Sequence, residues 1–433
     1  MSPTLEPDVF SFTVAAVGVP VLRILHTSDW HLGATLDGHA REAEHALFLD
    51  WLVQTLERER IDAVIVAGDV FDHAQPSAEA QRLYYRFLSR VAAGGRTQVV
   101  VVGGNHDSAA RLDAPRELLS NLRVRVVGGH ESDEAGLARA LVPVVSHATS
   151  AVGALILAVP FVHEFRLGLR TAGVDPATLA TQFAERFRLL YEGLATRAEA
   201  AWPGVPRVAT GHFACVGALA GDAPAETHQF AQIGGLPPEI FPPSIDYVAL
   251  GHLHRSFRVG TSRAWYSGTP VARVPGEATT PRVVLVVELE RSGDLPRVTP
   301  LEVPTFRSFA LLTGDEAAVT QRLRTLTWTS ALPPFVVPIV TVPAPDPELE
   351  NRLARALEAS PPGPRLILCR QVRAAGDDPA PAPPTRLAEL TPEEVFAALC
   401  EWRSRPLTPD DPRRAAFAEL LADVARGPSE AGA

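Results

Sequence analysis

The chain contains no lysine: all 40 of its basic residues are arginine, against 50 acidic residues, for a formal net charge of −10. That balance sits awkwardly with nucleic-acid binding, which usually shows as a basic face, so local arginine groups matter more than the total charge. Cysteine is scarce too. The three present, Cys215, Cys369 and Cys400, show no paired spacing, which excludes a disulfide scaffold and predicts reduced, mostly buried thiols in a reducing, cytoplasmic compartment. Val9 to Leu22 is largely apolar, but it is too short to cross a membrane and follows Glu6 and Asp8 instead of a positive region, so neither an anchor nor a secretory signal fits. A Gly-rich nucleotide loop of the P-loop type is also missing.

Length and repetition are what the chain does have. With 433 residues and 46% hydrophobic content it can build two or three cores. Five short groups of metal-ligand residue types sit where strands should end: Asp29-Trp30-His31, Gly68-Asp69-Val70-Phe71-Asp72, Gly103-Gly104-Asn105-His106-Asp107, Gly211-His212 and Gly251-His252-Leu253-His254. Four follow apolar runs, Val21 to Leu25, Ala63 to Ala67, Val99 to Val102 and Tyr247 to Leu250, while the run before His212 is only Val208-Ala209. A strand that delivers a carboxylate or imidazole from its carboxyl end places it in a loop held by a rigid sheet, where open α/β folds gather their chemistry. In Asp-x-His and His-x-His both side chains can face one site, because residues two apart on an extended segment point the same way. Asp69, on the second strand, is the natural bridge between two ions.

A single His or Asp at a strand end is usually a cap or a surface group. Five such groups in succession, each at a strand end, reverse that reading. The other histidines keep it: His26 is expected buried against the sheet, and His39, His45, His130, His147, His163 and His228 are expected in loops or at the surface. Cys215, three residues after His212, is not taken as a ligand. A set drawn from such aspartate, asparagine and histidine donors, without thiolate, suits manganese and admits iron, zinc or cobalt. Two ions about 3.5–4 Å apart can lower the pKa of a water and clamp the entering and leaving oxygens of a displacement at phosphorus.

These groups resemble the calcineurin-like metallophosphoesterase superfamily, and the opening Ile24-Leu25-His26-Thr27-Ser28-Asp29-Trp30-His31-Leu32-Gly33 resembles its SbcD family of nuclease subunits. The resemblance runs from about Leu22 to about Ala425. It implies a two-layer β-sandwich flanked by helices, a small α/β capping domain and C-terminal partner-binding helices. It further implies that Asp29, His31, Asp69 and His254 hold one ion, that Asp69, Asn105, His212 and His252 hold the other, and that the metal is manganese. His106 becomes the general-acid candidate, with Asp107 orienting it; the competing reading makes Asp107 only a helix cap. The roles of Asp72, where some relatives carry a second catalytic histidine, and of His73 stay open. The implied activity is two-metal hydrolysis of DNA, as an ATP-dependent double-strand exonuclease and a single-strand and hairpin endonuclease. The implied partners are an SbcC-type ATPase with a coiled coil, DNA ends and hairpins, and a second copy of the chain within a heterotetramer.

The same resemblance divides the chain into an extension over 1–21, a nuclease domain over 22–303, a DNA-capping domain over 304–374, a Pro- and Ala-rich linker over 375–386 and a helical partner-binding region over 387–426. The extension admits a tail, an added edge strand or a misplaced start, with Val21 as an alternative first residue. Ser77 to Val91 predicts a helix whose Leu83, Tyr84, Phe87, Leu88 and Val91 share a face; with the helix near Leu112 to Leu119, that face is expected at the homodimer contact, core packing being the alternative. In the capping domain a strand near Phe309, a helix over Glu316 to Leu326, a strand over Val336 to Val342, a helix over Pro347 to Glu358 and a strand over Arg365 to Val372 are expected. Arg255, Arg258, Arg263 and Arg273 lie in a stretch, Tyr247 to Gly276, without an acidic residue, and are the candidates for DNA phosphate contact. Val395, Phe396, Leu399 and Trp402 on one helix and Phe417, Leu420, Leu421 and Val424 on the next form apolar faces at helical spacing, read as the ATPase docking surface or as a hairpin packed on itself. The alternative functions are a phosphoesterase on non-nucleic-acid substrates, against which stands His73-Ala74 after Asp72 where protein phosphatases carry Arg-Gly, and a dimerisation scaffold with a vestigial metal site.

Overall fold

The structure is a computed structural model that describes residues 21–169, 174–215, 235–358, 363–373, 392–402, 407–408 and 411–426. Residues 1–20, the whole 375–386 linker and His228 lie outside the described residues. The chain divides into two compact units, one up to Val372 and one from Arg373.

The first unit is built on two six-stranded sheets. In the first, strands Leu22–Thr27, Ala63–Ala67, Gln98–Val102 and Val124–Val127 run parallel, and Val283–Leu289 and Arg297–Glu302 extend the sheet antiparallel beyond Leu22–Thr27. In the second, Val152–Leu157, Arg207–His212, Tyr247–Gly251 and Ala264–Tyr266 run parallel, flanked by Leu141–Val145 and Phe257–Arg258. Parallel pairing makes each sheet release its loops on one side, which is where the five groups follow. The five sequence runs are strands in every case.

The side-chain period of two explains the layers. Ile24, Ala63, Ile65, Ala67, Val100 and Val102 of the first sheet meet Val144, Ala154, Ile156, Val208, Tyr247 and Ala249 of the second in a buried seam. The alternate residues, Leu25, Val64, Val66, Val99 and Val101, face outward onto helices Glu42–Arg58 and Ala78–Gly94, while Leu155, Leu157, Ala209, Val248 and Leu250 face helix Pro176–Ala201. Strands buried on both faces therefore read as continuous apolar runs.

This packing corrects one expectation. Leu83, Tyr84, Phe87, Leu88 and Val91 share a face of the helix that Ser77 caps by accepting from the Ala80 N–H at 3.1 Å, but all five are buried in the core beneath the first sheet. Trp30 packs edge-on against Phe87 at 5.2 Å. The stripe covers the sheet and is not free for a second copy of the chain. Leu112 and Leu119 are buried too, whereas Tyr85, Leu118 and Leu122 are exposed. His45 is a second correction: it lies on the inner side of helix Glu42–Arg58, fully buried, and not at the surface. His26 is buried as expected, its Nδ1 2.9 Å from the Tyr247 hydroxyl and its Nε2 3.2 Å from the Leu250 carbonyl oxygen.

From Arg307 the chain forms a smaller α/β layer: strand Arg307–Gly314, helix Glu316–Arg324, strand Leu332–Val342, helix Leu349–Glu358 and strands Arg365–Leu366 and Arg370–Arg373. The expected last strand is broken in two at Leu368, whose backbone turns left-handed at φ 48°. One face of this sheet packs under its own helices through Val336, Val340, Leu349 and Leu353. The other face, Phe335, Val337 and Ile367, packs on Leu36 of the hairpin made by Thr35–Leu36 and His39–Ala40.

The second unit contains helices Pro392–Trp402 and Pro412–Arg426, held together by the stacked rings of Phe396 and Phe417 at 4.1 Å and 5°. Leu399 is exposed and Val395 half-buried; the side chains of Trp402, Leu420 and Val424 lie outside the described residues. No described helix is long and apolar enough to cross a membrane.

Candidate metal centre

Four of the seven candidate ligands stand on left-handed backbone: Asp29 at φ 53°, His31 at 46°, Asp69 at 50° and His252 at 95°. That conformation costs an L-residue on the order of 1–2 kcal/mol and persists only where the surroundings over-determine it, which is characteristic of sites. The loops are fastened to each other. The Asp29 and His31 N–H groups donate to the Gly68 and Asp69 carbonyls at 3.0 Å each, and the His252 N–H donates to Asp29 Oδ1 at 2.9 Å, joining the two sheets. Two glycines permit the approach: a Cβ on Gly68 would collide with the His212 imidazole, and one on Gly104 with the Asp69 carboxylate and N–H.

The seven residues come together. Asp29, His31 and His254 place ligand atoms within 4.8 Å of one another, and so do Asp29, Asp69 and His212. His31 Nε2 lies 3.6 Å and His212 Nε2 3.3 Å from Asp69 Oδ2, so Asp69 stands between the two groups. Asn105 Oδ1 is 3.0 Å from His212 Nε2 and 3.1 Å from His252 Nδ1.

The tautomers bear on what this cluster can hold. His254 Nδ1 is 2.9 Å from the Glu277 carboxylate, and His31 Nδ1 lies 3.2 Å from Asp72 Oδ1, a close polar contact without the alignment of a hydrogen bond. A carboxylate only accepts, so the His254 ring carries its proton on Nδ1; the Arg273 guanidinium only donates and reaches His31 Nε2 at 3.4 Å, so the His31 lone pair is on Nε2. Their Nε2 lone pairs then face each other at 3.2 Å. His212 repeats the pattern, its Nδ1 donating to the Ala67 carbonyl at 2.9 Å and its Nε2 turned on the oxygens of Asn105 and Asp69. Acceptors converging on acceptors repel unless positive charge lies among them. The donor set therefore fits divalent cations, and His252 Nε2 adds a buried ring nitrogen without a hydrogen-bond partner.

The charges agree. Burial pushes the His31 imidazole down to about 4 and that of His252 to about 3, leaving neutral rings with free lone pairs. Burial would lower His212 as well, but the charges of Asp69 and Asp29 outweigh it and raise the ring to about 9. Burial raises Asp69, yet His212, His31 and His106 hold it well below the usual carboxylate range.

Around this centre, two assignments change. His106 Nδ1 lies 2.8 Å from the Asp72 carbonyl oxygen, so Asp72 and not Asp107 fixes this ring. The Asp107 carboxylate instead accepts the Val70, Phe71 and Gly104 N–H groups at 3.1, 2.9 and 2.9 Å, tying the Asp69 loop to the Asn105 loop. It neither orients the imidazole nor caps the following helix, whose first-turn N–H groups it does not receive. His106 also brings a ligand atom within 4.8 Å of those of His31 and Asp69. Asp72 serves His31 with its carboxylate as well, and exposed His73 touches the outer oxygen of Asp72 at 3.1 Å.

The arginine group splits. Arg273 reaches the centre, with Nη2 3.0 Å from Asp72 Oδ1 and Nη1 3.4 Å from His31 Nε2. Arg255 is exposed beside His254. Arg263 lies at the opposite end: it precedes Ala264–Tyr266, parallel to Tyr247–Gly251, and binds buried Asp246 and the Ile245 carbonyl. Arg258 folds back on the Thr261 and Ser262 carbonyls and lies over Trp265. Sequence reading missed Glu277, the first acidic residue after the acid-free stretch, and Arg282, which donates to the His254 carbonyl at 2.8 Å. Cys215 is buried, its thiol pushed up to about 12 by burial, and no ligand.

Residues 22–256 match the calcineurin-like phosphoesterase family, and residues 305–403 match a family described as the Type 5 capsule protein repressor C-terminal domain. The fold, the ligand geometry and the match define a phosphoesterase that works with divalent metal. The chain is 40% identical to the SbcD subunit of nuclease SbcCD from Rhodobacter capsulatus over 389 residues, covering 87% of this chain and 94% of the relative. It is 33% identical to the SbcD subunit of nuclease SbcCD from Escherichia coli K12 over 382 residues, 87% and 92% of the two chains. The chain belongs to the SbcD family of SbcCD nuclease subunits and is a metal-dependent nuclease.

Proposed function

We propose that this nuclease hydrolyses phosphodiester bonds of DNA ends and hairpins with two manganese ions, working beside an SbcC-type ATPase in the cytoplasm. The observation that carries the two-ion reading is the convergence of imidazole lone pairs and carboxylates around Asp69. Asp29, His31, Asp69 and His254 would hold one ion, and Asp69, Asn105, His212 and His252 the other. When bound, such ions supply an activated water and neutralise charge on a phosphodiester.

The chain's own groups do the rest. His106 gives the leaving oxygen a proton from Nε2, while its Nδ1 is held by the Asp72 carbonyl, which orients the ring. Arg273 and Arg255 meet phosphates at the rim. The layer from Arg307 onward caps the centre and orients the duplex. The paired helices with exposed Leu399 dock the coiled coil of the ATPase, and Tyr85, Leu118 and Leu122, exposed on or beside the two helices expected at the homodimer contact, are apolar residues that a second copy of the chain would cover.

The test is cleavage of linear duplex and hairpin DNA with manganese, with and without the ATPase. Manganese-dependent cleavage, stimulated by ATP when the partner is present, is expected. Inactivity under every condition would leave assembly as the chain's role and overturn the reading.

A further inference from the structure

The cap does not sit on the nuclease core through apolar packing alone. Buried Glu44 accepts from two arginines: Arg41 of its own layer, Nε to Oε1 at 2.6 Å, and Arg307 of the first cap strand, Nε to Oε1 at 2.9 Å. Both guanidinium groups lie against the cap residue Phe335, at 5.5 and 4.6 Å from its ring centre. Beside them is a cavity of about 390 Å³ lined by Arg41, Ala272, Arg282 and Arg307, so tight packing does not set the cap's position here. A buried ion triad adds little net stability, but it fixes register, because breaking it strands a charge.

The other side of Arg41 points at the metal centre. Its Nη2 donates to the Ala272 carbonyl at 2.9 Å and its Nη1 reaches the Arg273 carbonyl at 3.4 Å. The Arg273 N–H donates to Glu277 Oε2 at 2.7 Å, and Glu277 Oε1 holds His254 Nδ1 at 2.9 Å. Arg307, Glu44, Arg41, the 272–273 backbone, Glu277 and His254 form one unbroken chain of polar contacts. We propose that Arg41 is a positioning residue that makes docking of the cap and placement of His254 a single event, so that cap position and metal affinity control one another. Linkage requires the effect to run both ways. The inference rests on His254 being a metal ligand.

The experiment uses the full-length chain and manganese alone. Amide exchange in the cap strand Leu332–Val342 and at Leu368 should slow when manganese is added. Arg307→Met, which touches no residue of the centre, should weaken manganese binding about 5- to 10-fold in a calorimetric titration and abolish that slowing; Arg41→Met should do the same. Manganese that binds the native chain without changing cap exchange, or that binds Arg307→Met as tightly as the native chain, overturns the coupling and leaves the metal reading intact. Absence of manganese binding to the native chain overturns the metal reading, and the coupling with it. The exchange measurement needs no variant, so it decides the question even where Arg307→Met fails to fold.

Discussion

The Nε2 atoms of His31 and His254 face each other at 3.2 Å, although the two residues are separated by 223 positions. Each ring is addressed through its other nitrogen by a carboxylate, Asp72 for one and Glu277 for the other. Carboxylates behind imidazoles fix their orientation and raise their basicity as ligands, and removing one typically costs 10–100-fold in metal affinity. Glu277→Gln should therefore weaken manganese binding by about that factor while the fold is kept. Calorimetric titration with manganese checks it, and unchanged affinity would show that His254 does not depend on Glu277.

His106 and Asp107 are neighbours with separable roles. His106→Ala should lower cleavage by about 10²–10⁴-fold with both ions retained, the usual contribution of a general acid. Metal analysis of the purified variant decides this, for loss of an ion would make His106 a ligand.

Asp107→Ala should fail differently. It strands three loop N–H groups, and each unmet buried group costs about 1–3 kcal/mol. A lowered denaturation midpoint, together with weakened metal binding, is expected; a variant as stable as the native chain would contradict the tie between loops.

Arg263 and Arg273 give opposite expectations. Arg273→Ala should weaken binding of duplex DNA and reduce its salt dependence, as loss of a phosphate contact does. Arg263→Ala should leave DNA affinity unchanged and lower stability, because Asp246 is almost wholly buried and would lose its cation. Binding isotherms at two salt concentrations separate the cases.

Removing the residues after Thr385 should leave metal binding and manganese-dependent single-strand cleavage intact and abolish ATP stimulation of duplex cleavage by the partner. Leu399→Asp should act in the same direction, since an unpaired charge in an apolar contact costs several kcal/mol. Undiminished co-purification and stimulation of the ATPase would restrict the two helices to packing on each other.

The five strand ends, the groups of ligand-type residues behind them and the helices Glu316–Arg324 and Leu349–Glu358 were legible in the order of residues, while the family resemblance picked the seven candidate ligands out of those groups. Those features are local: an apolar run of strand length, a following glycine, and ligands at fixed spacing can be read without knowing what lies opposite. Which groups serve the ligands was settled by long-range packing. Glu277 reaches His254 across 23 residues, and Glu44 meets Arg307 across 263. Arg263 and Arg273 belong to one acid-free stretch, yet a strand between them carries one to the back of the sheet and the other to the metal centre. The apolar face of helix Ala78–Gly94 was equally legible, but its partner was not. Periodicity says that a face must be buried, and only the position of the sheet beneath it says that the chain's own core does the burying.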